Sequence, residues 1–239
     1  MHMSQLHYLP MAPGFFAVFV GLFVVFFVIT LLLRALRQAY LNLGVSPGTA
    51  MLLLFGSLIG SYFNIPIVEL PTEPLQSGRI VDYLGMQYVV PQIATGGTII
   101  AVNVGGAVIP AAMSLYLLAT RQLWAQGAVA TAIVALVLHW LARPVPGLGI
   151  AVPVFIPAIA TAVVAILLSR RDAASLAYIA GSMGTLIGAD LTNLDKVAGL
   201  GAPVASIGGA GTFDGIFLTG IVAVLLAGLY HPRPSVAQF

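Results

Sequence analysis

Stretches of about twenty apolar residues recur along this chain, each long enough for a helix to cross the roughly 30 Å hydrocarbon core of a bilayer. The clearest, "GFFAVFVGLFVVFFVITLLL" at 14–33, carries no charge. Six more follow at 49–65, 92–118, 125–141, 149–168, 174–190 and 211–229, and together they occupy most of the 239 residues. Only 7% of the residues are charged and 60% are hydrophobic, whereas soluble domains carry roughly a quarter charged residues. No sizeable soluble domain fits beside the spans. The expected fold is an all-α integral membrane protein of about seven transmembrane helices, a single polytopic domain over 1–239 in the cell (inner) membrane.

Interruptions between the spans carry the remaining signals. "SPGT" at 46–49 is a Ser-Pro helix start ahead of the second span. Residues 66–91, "PIVELPTEPLQSGRIVDYLGMQYVVP", hold three of the seven acids and four prolines, and "RIVDYLGMQYVV" is β-prone around Gly85. This segment is expected to form a small extracytoplasmic β-hairpin. Orientation follows from arginine placement, because short cytoplasmic loops retain Lys and Arg. If the first helix exits into the cytoplasm, Arg34, Arg37, Arg121, Arg170, Arg171 and Arg233 lie inside, and Arg79, Arg143 and Lys196 lie outside. The N-terminus is therefore expected outside and the C-terminus in the cytoplasm.

Several chemistries are excluded or unsupported. The chain has no cysteine, which rules out disulfides, thiol nucleophiles and thiolate metal sites. Its four histidines have no metal-ligand spacing, and His139 with Trp140 reads as an interfacial pair at the end of the fourth span. No cofactor is implied. A net charge of +2 on dispersed arginines does not suggest a nucleic-acid surface. The opening "MHMSQLHYLPMAPG" has no basic run ahead of the first span, so a cleaved signal peptide is not expected. The bilayer is the one partner that composition assigns, and no oligomer is read from it.

A carboxylate at membrane depth is costly unless it is paired, protonated or facing water, so intramembrane acids are the first functional candidates. Glu69, Glu73 and Asp82 belong to the hairpin, Asp172 sits beside two arginines at a helix start, and Asp195 precedes Lys196 in a polar loop. Asp190, closing "GSMGTLIGAD", and Asp214, inside "GGAGTFDG", remain. They stand 24 residues apart, at the end of the sixth span and the start of the seventh, so an antiparallel pair of helices would bring them to similar depth. Two nearby carboxylates share a proton, and one then activates a water while the other protonates a leaving amine. Helix ends would divide the roles: the positive N-terminal end favours Asp214 as base, and the negative C-terminal end favours Asp190 as acid. Gly209, Gly211, Thr212 and Gly215 would position substrate, a transmembrane peptide unwound into an extended strand, and the hairpin could offer that strand an edge.

The third span supplies a rival. "QIATGGTIIAVNVGGAVIPAAMSLYLL" contains Gly96, Gly97, Gly105, Gly106 and Pro110, the pattern of a helix broken near the midplane, with Asn103 as a buried amide. Broken helices bind ions or solutes in transporters, so Asn103, Asp190 and Asp214 could instead form a cation or proton site for an ion- or proton-coupled small-solute transporter. In a third reading the small residues simply pack helices closely, and the protein is a non-catalytic scaffold.

Two resemblances bear on the choice. "GAGTFD" resembles a lengthened Gly-x-Gly-Asp motif of the intramembrane aspartyl proteases, the class of presenilin, signal peptide peptidase and the prepilin peptidases. That resemblance implies a presenilin-like bundle with catalytic aspartates on helices six and seven, here Asp190 and Asp214, although Thr212 and Phe213 separate glycine from aspartate and "GAD" stands where Tyr-Asp would. Over most of its length the chain also resembles a prokaryotic polytopic membrane family catalogued as domain of unknown function 1614, through "NIPI", "AVNVGGAVIP", "GADLTNLD" and "GGAGTFDGIFLTG".

Overall fold

The structure, a computed structural model, describes residues 13–70, 80–83, 86–89, 97–145, 149–153, 155–197, 203–209 and 215–229. Helix α1, Pro13–Asn42, runs past the expected end of the first span because Leu36, Ala39, Tyr40 and Leu43 continue an apolar face at helical spacing. Residues 17–29 are exposed on all sides, a helix surface that only lipid suits. Helix α2, Pro47–Gly60, starts where expected: the Ser46 hydroxyl accepts from the Thr49 N–H at 3.2 Å, and Pro47 takes the first turn. Strand β1, Asn64–Leu70, follows, and β2, Ile80–Tyr83, pairs antiparallel with β3, Met86–Val89.

The third apolar stretch departs from expectation. It opens as strand β4, Thr98–Asn103, passes through a π-helical turn, Val104–Val108, and only then becomes helix α3, Ile109–Arg121. Four of the six residues of "TIIAVN" are β-branched, which favours a pleated strand over a helix. The expected broken helix is thus a strand joined to a helix, and the all-α expectation is corrected by a mixed sheet. In that sheet β4 is central, antiparallel to β1 on one side and parallel on the other to β7, Val204–Ile207. Pro66 lies in β1, a marginal strand among the described residues, beside the bulge between Pro66 and Val68, where a missing N–H is tolerated.

Helix α4, Trp124–Leu141, leads to the short antiparallel pair β5, Arg143–Val145, and β6, Gly149–Ala151, then to α5, Phe155–Leu168. Helix α6, Ala173–Thr185, continues into a second π-turn, Leu186–Asp190, and a 3-10 helix, Leu191–Lys196; after β7 comes α7, Gly215–Leu229. Among the described residues the protein is therefore mostly helical, with seven α-helices and a small mixed sheet. Three stretches, Ala17–Asn42, Val104–Arg121 and Trp124–Leu141, are long and apolar enough to cross a membrane, as befits a multi-pass membrane protein.

Helix directions alternate. Arg121 at the end of α3 donates to the Leu43 carbonyl in the α1–α2 turn at 3.1 Å, and Gly228 near the end of α7 abuts Asn42. The end of α4 meets the 3-10 helix after α6 through His139 and Thr192, so the α5–α6 turn lies at the end of the bundle that holds Arg121. Arg34, Arg37, Arg121, Arg170 and Arg171 gather towards that end, and the β1–β4–β7 sheet caps the other. Helix α6 is the central helix, buried on every face from Ser175 to Ser182. It crosses α7 where a β-carbon on Gly181 would lie 2.9 Å from the Gly220 Cα, the close approach that small residues permit.

Candidate functional site at the sheet end of the bundle

Asp190 closes the second π-turn, a helical irregularity that frequently marks functional positions. Its place is fixed by Gly188: a β-carbon there would run into the Ala135 carbonyl of α4, so the backbone lies directly against the neighbouring helix. Carbonyls that the π-turn frees are taken up locally. Asn193 Nδ2 donates to the carbonyls of Ala189 at 2.9 Å and Gly188 at 3.1 Å, and the Thr192 hydroxyl donates to Gly188 O at 2.8 Å. Because that hydroxyl has one proton, the 2.8 Å contact between Thr192 Oγ1 and His139 Nδ1 requires the imidazole to be the donor. His139, expected as an interfacial residue, is half-buried and locks the end of α4 to this segment. Lys196 Nζ donates to Asn193 Oδ1 at 2.6 Å, and Asp195 is exposed, as a solvated loop charge should be.

The half-buried Asp190 carboxylate accepts a hydrogen bond from the Gly208 N–H through Oδ2 at 2.8 Å. Gly208 and Gly209 follow β7 with φ of +94° and +77°, values that side-chain-bearing residues rarely adopt. The turn is closed by Gly209 N–H to Ser206 O at 3.0 Å. Ser206 Oγ lies 2.8 Å from the Gly209 carbonyl and 2.6 Å from Asn64 Oδ1, either of which its proton can serve.

Asn103 is fully buried at the junction of β4 and the first π-turn. Its Nδ2 donates to Ser61 O at 2.8 Å and to Asn64 Oδ1 at 3.0 Å, and its Oδ1 caps the π-turn by accepting from Gly106 N–H at 2.8 Å. Gly105 and Gly106 are required by proximity: β-carbons there would collide with the Ser57 and Gly208 carbonyls respectively. A continuous polar path therefore runs from Asn103 through Asn64 and Ser206 to the 206–209 turn and Asp190. Sequence reasoning picked out its two ends. It missed Asn64 and Ser206, whose only signal was polarity within otherwise apolar strands.

Asp214, Gly211 and Thr212 lie outside the described residues. Gly215 opens α7, and Gly209 sits in the turn described above. The structure thus brings Asn103, Gly209 and Asp190 to one end of the bundle, with Asp214 five residues along the chain from Gly209. Among the described residues no group of histidines and acids is arranged to hold a metal ion.

A family model described as "Protein of unknown function (DUF1614)" matches residues 58–226, a stretch that contains every residue of the polar path and omits all of α1 and most of α2. No curated protein and no solved structure matches the chain. The likeness to Gly-x-Gly-Asp proteases finds no support among these matches.

Proposed function

Since the chain belongs to the DUF1614 family, whose description brings no activity, we propose from the site alone that it is an intramembrane aspartyl hydrolase. It would cleave transmembrane or membrane-adjacent peptide segments through Asp190 and Asp214. The observation that carries this reading is the 2.8 Å bond from Gly208 N–H to Asp190. It ties the carboxylate at the end of the second π-turn to the turn that precedes Asp214 in the chain by six residues. In the reaction one carboxylate takes a proton from water, whose oxygen attacks the scissile carbonyl carbon. The other gives its proton to the amide nitrogen as the C–N bond breaks, and the pair ends with its proton exchanged between partners. Strand β7 bears on the same reading: it lies at a margin of the sheet among the described residues and ends one residue before Gly208. An unwound substrate segment could pair along its outer edge and run directly past the carboxylate.

The transporter alternative is less favoured. Both amide hydrogens of Asn103 and its oxygen are already engaged in joining α2, β1 and the π-turn, which makes it a structural cap in preference to a solute ligand. Asp190→Asn and Asp214→Asn test the proposal, and the first keeps an oxygen to accept from Gly208. Each is expected to lower cleavage of a transmembrane peptide at least about a hundredfold while the protein stays folded. A folded wild type that cuts no such peptide and ignores a hydroxyethylene transition-state mimic would leave the scaffold reading in its place.

A further inference from the structure

Away from the sheet, helices α2 and α3 form a wedge. They touch at one end, where a β-carbon on Gly60 would lie 3.0 Å from Gly105 N and one on Gly56 would meet Ile109. Towards the arginine-bearing end they part around a cavity of about 560 Å³. Its walls are apolar, from Leu53, Ile109 and Met113, and its mouth is polar, from Ser46, Thr49 and Tyr116. The cavity follows α3 from Ile109 to Tyr116, about 10 Å of helix, which suits part of an acyl chain. The N-terminus of α2 borders the mouth, with its positive dipole end and with Ser46 and Thr49 hydroxyls 2.9 Å apart.

Beside the mouth stands Arg121. A β-carbon on Gly44, itself a cavity residue, would strike its guanidinium. One of its five N–H donors holds the Leu43 carbonyl, and no acidic side chain pairs with it among the described residues. A guanidinium with open donors at a polar mouth, above an apolar wedge, complements a phosphate headgroup attached to a hydrocarbon tail. We propose that this wedge is a binding site for one anionic glycerophospholipid, its phosphate at Arg121 and the α2 N-terminus and an acyl chain between α2 and α3. The site is separate from Asp190 and does not depend on the hydrolase reading.

The test uses the full chain in detergent with added dioleoyl phosphatidylglycerol or dioleoyl phosphatidylcholine, retained lipid being counted by native mass spectrometry. The wild type is expected to keep one phosphatidylglycerol with at least tenfold preference. Arg121→Gln should abolish the preference, Arg121→Lys should restore part of it, and Ala112→Trp, which fills the cavity, should displace the lipid altogether. Thermal stabilisation by phosphatidylglycerol should disappear in the same variants, so a misfolded variant is told apart by its own melting curve. Equal retention of both lipids, unchanged retention in folded Arg121→Gln and Ala112→Trp, or displacement by glycerol 3-phosphate alone would each overturn the proposal.

Discussion

Removing the amide of Asn103 leaves the buried Gly106 N–H without its acceptor and the half-buried Ser61 O without its present donor, whereas the exposed Asn64 keeps the Ser206 hydroxyl 2.6 Å from its Oδ1. Each unpaired buried polar group costs about 1–3 kcal/mol, so Asn103→Ala is expected to destabilise the protein by roughly 2 kcal/mol, read as a lower melting temperature in detergent. A variant that melts with the wild type would show that the junction contributes little. Gly106→Ala is a sharper change, because its methyl meets the Gly208 carbonyl; it should lower both the melting temperature and the activity proposed for Asp190. At this scale the sequence showed which residues were out of place in an oily chain. It could not show what they touch, because the partners of Asn103 lie 39 and 42 positions away and that of Asp190 lies 18 away. Asp190 was legible as an expensive acid, whereas Ser206 and Asn64 were not, since an isolated polar residue in a strand costs nothing visible until its neighbours are known.

Elements were legible where one rule decided them. Helix α4 and the Ser46-Pro47 start of α2 came out as expected because apolar length and capping chemistry are local properties. The stretch 92–118 did not, since hydropathy weighs a strand and a helix alike, and the β-branched "TIIAVN" had to be set against a continuous apolar run. What settles it is pairing: β4 has partners on both sides, β1 and β7, both distant in sequence. Strand β7 depends on that pairing. The Ile99 N–H donates to Pro203 O at 3.0 Å, so Ile99→Pro removes the first link between β4 and β7. Hydrogen exchange should then lose its protection over 204–208 and keep it in α4; unchanged protection at 204–208 would mean that the β7 edge is held by something other than β4.

At the scale of the molecule, the alternating helices put Arg34, Arg37, Arg121, Arg170 and Arg171 towards one end and the sheet at the other. Positively charged short turns favour the cytoplasm, so the sheet and Asp190 are expected to face the exterior. The absence of native cysteine makes the check clean: an impermeant maleimide applied to intact cells should label Asp195→Cys and spare Thr120→Cys, and the reverse pattern would invert the orientation. By itself the sequence determined that this chain is a multi-pass membrane protein, roughly where its helices run, and which acids stand out, because apolar length, charge and caps act over a few residues. Only the tertiary structure decided that the third stretch enters as a strand, that β7 joins it in parallel, and that Asp190 is tied to the Gly208 turn. Those depend on backbone groups far apart in the chain finding each other inside a medium with no water to satisfy them, and a partner of that kind leaves no mark on the residues at either end.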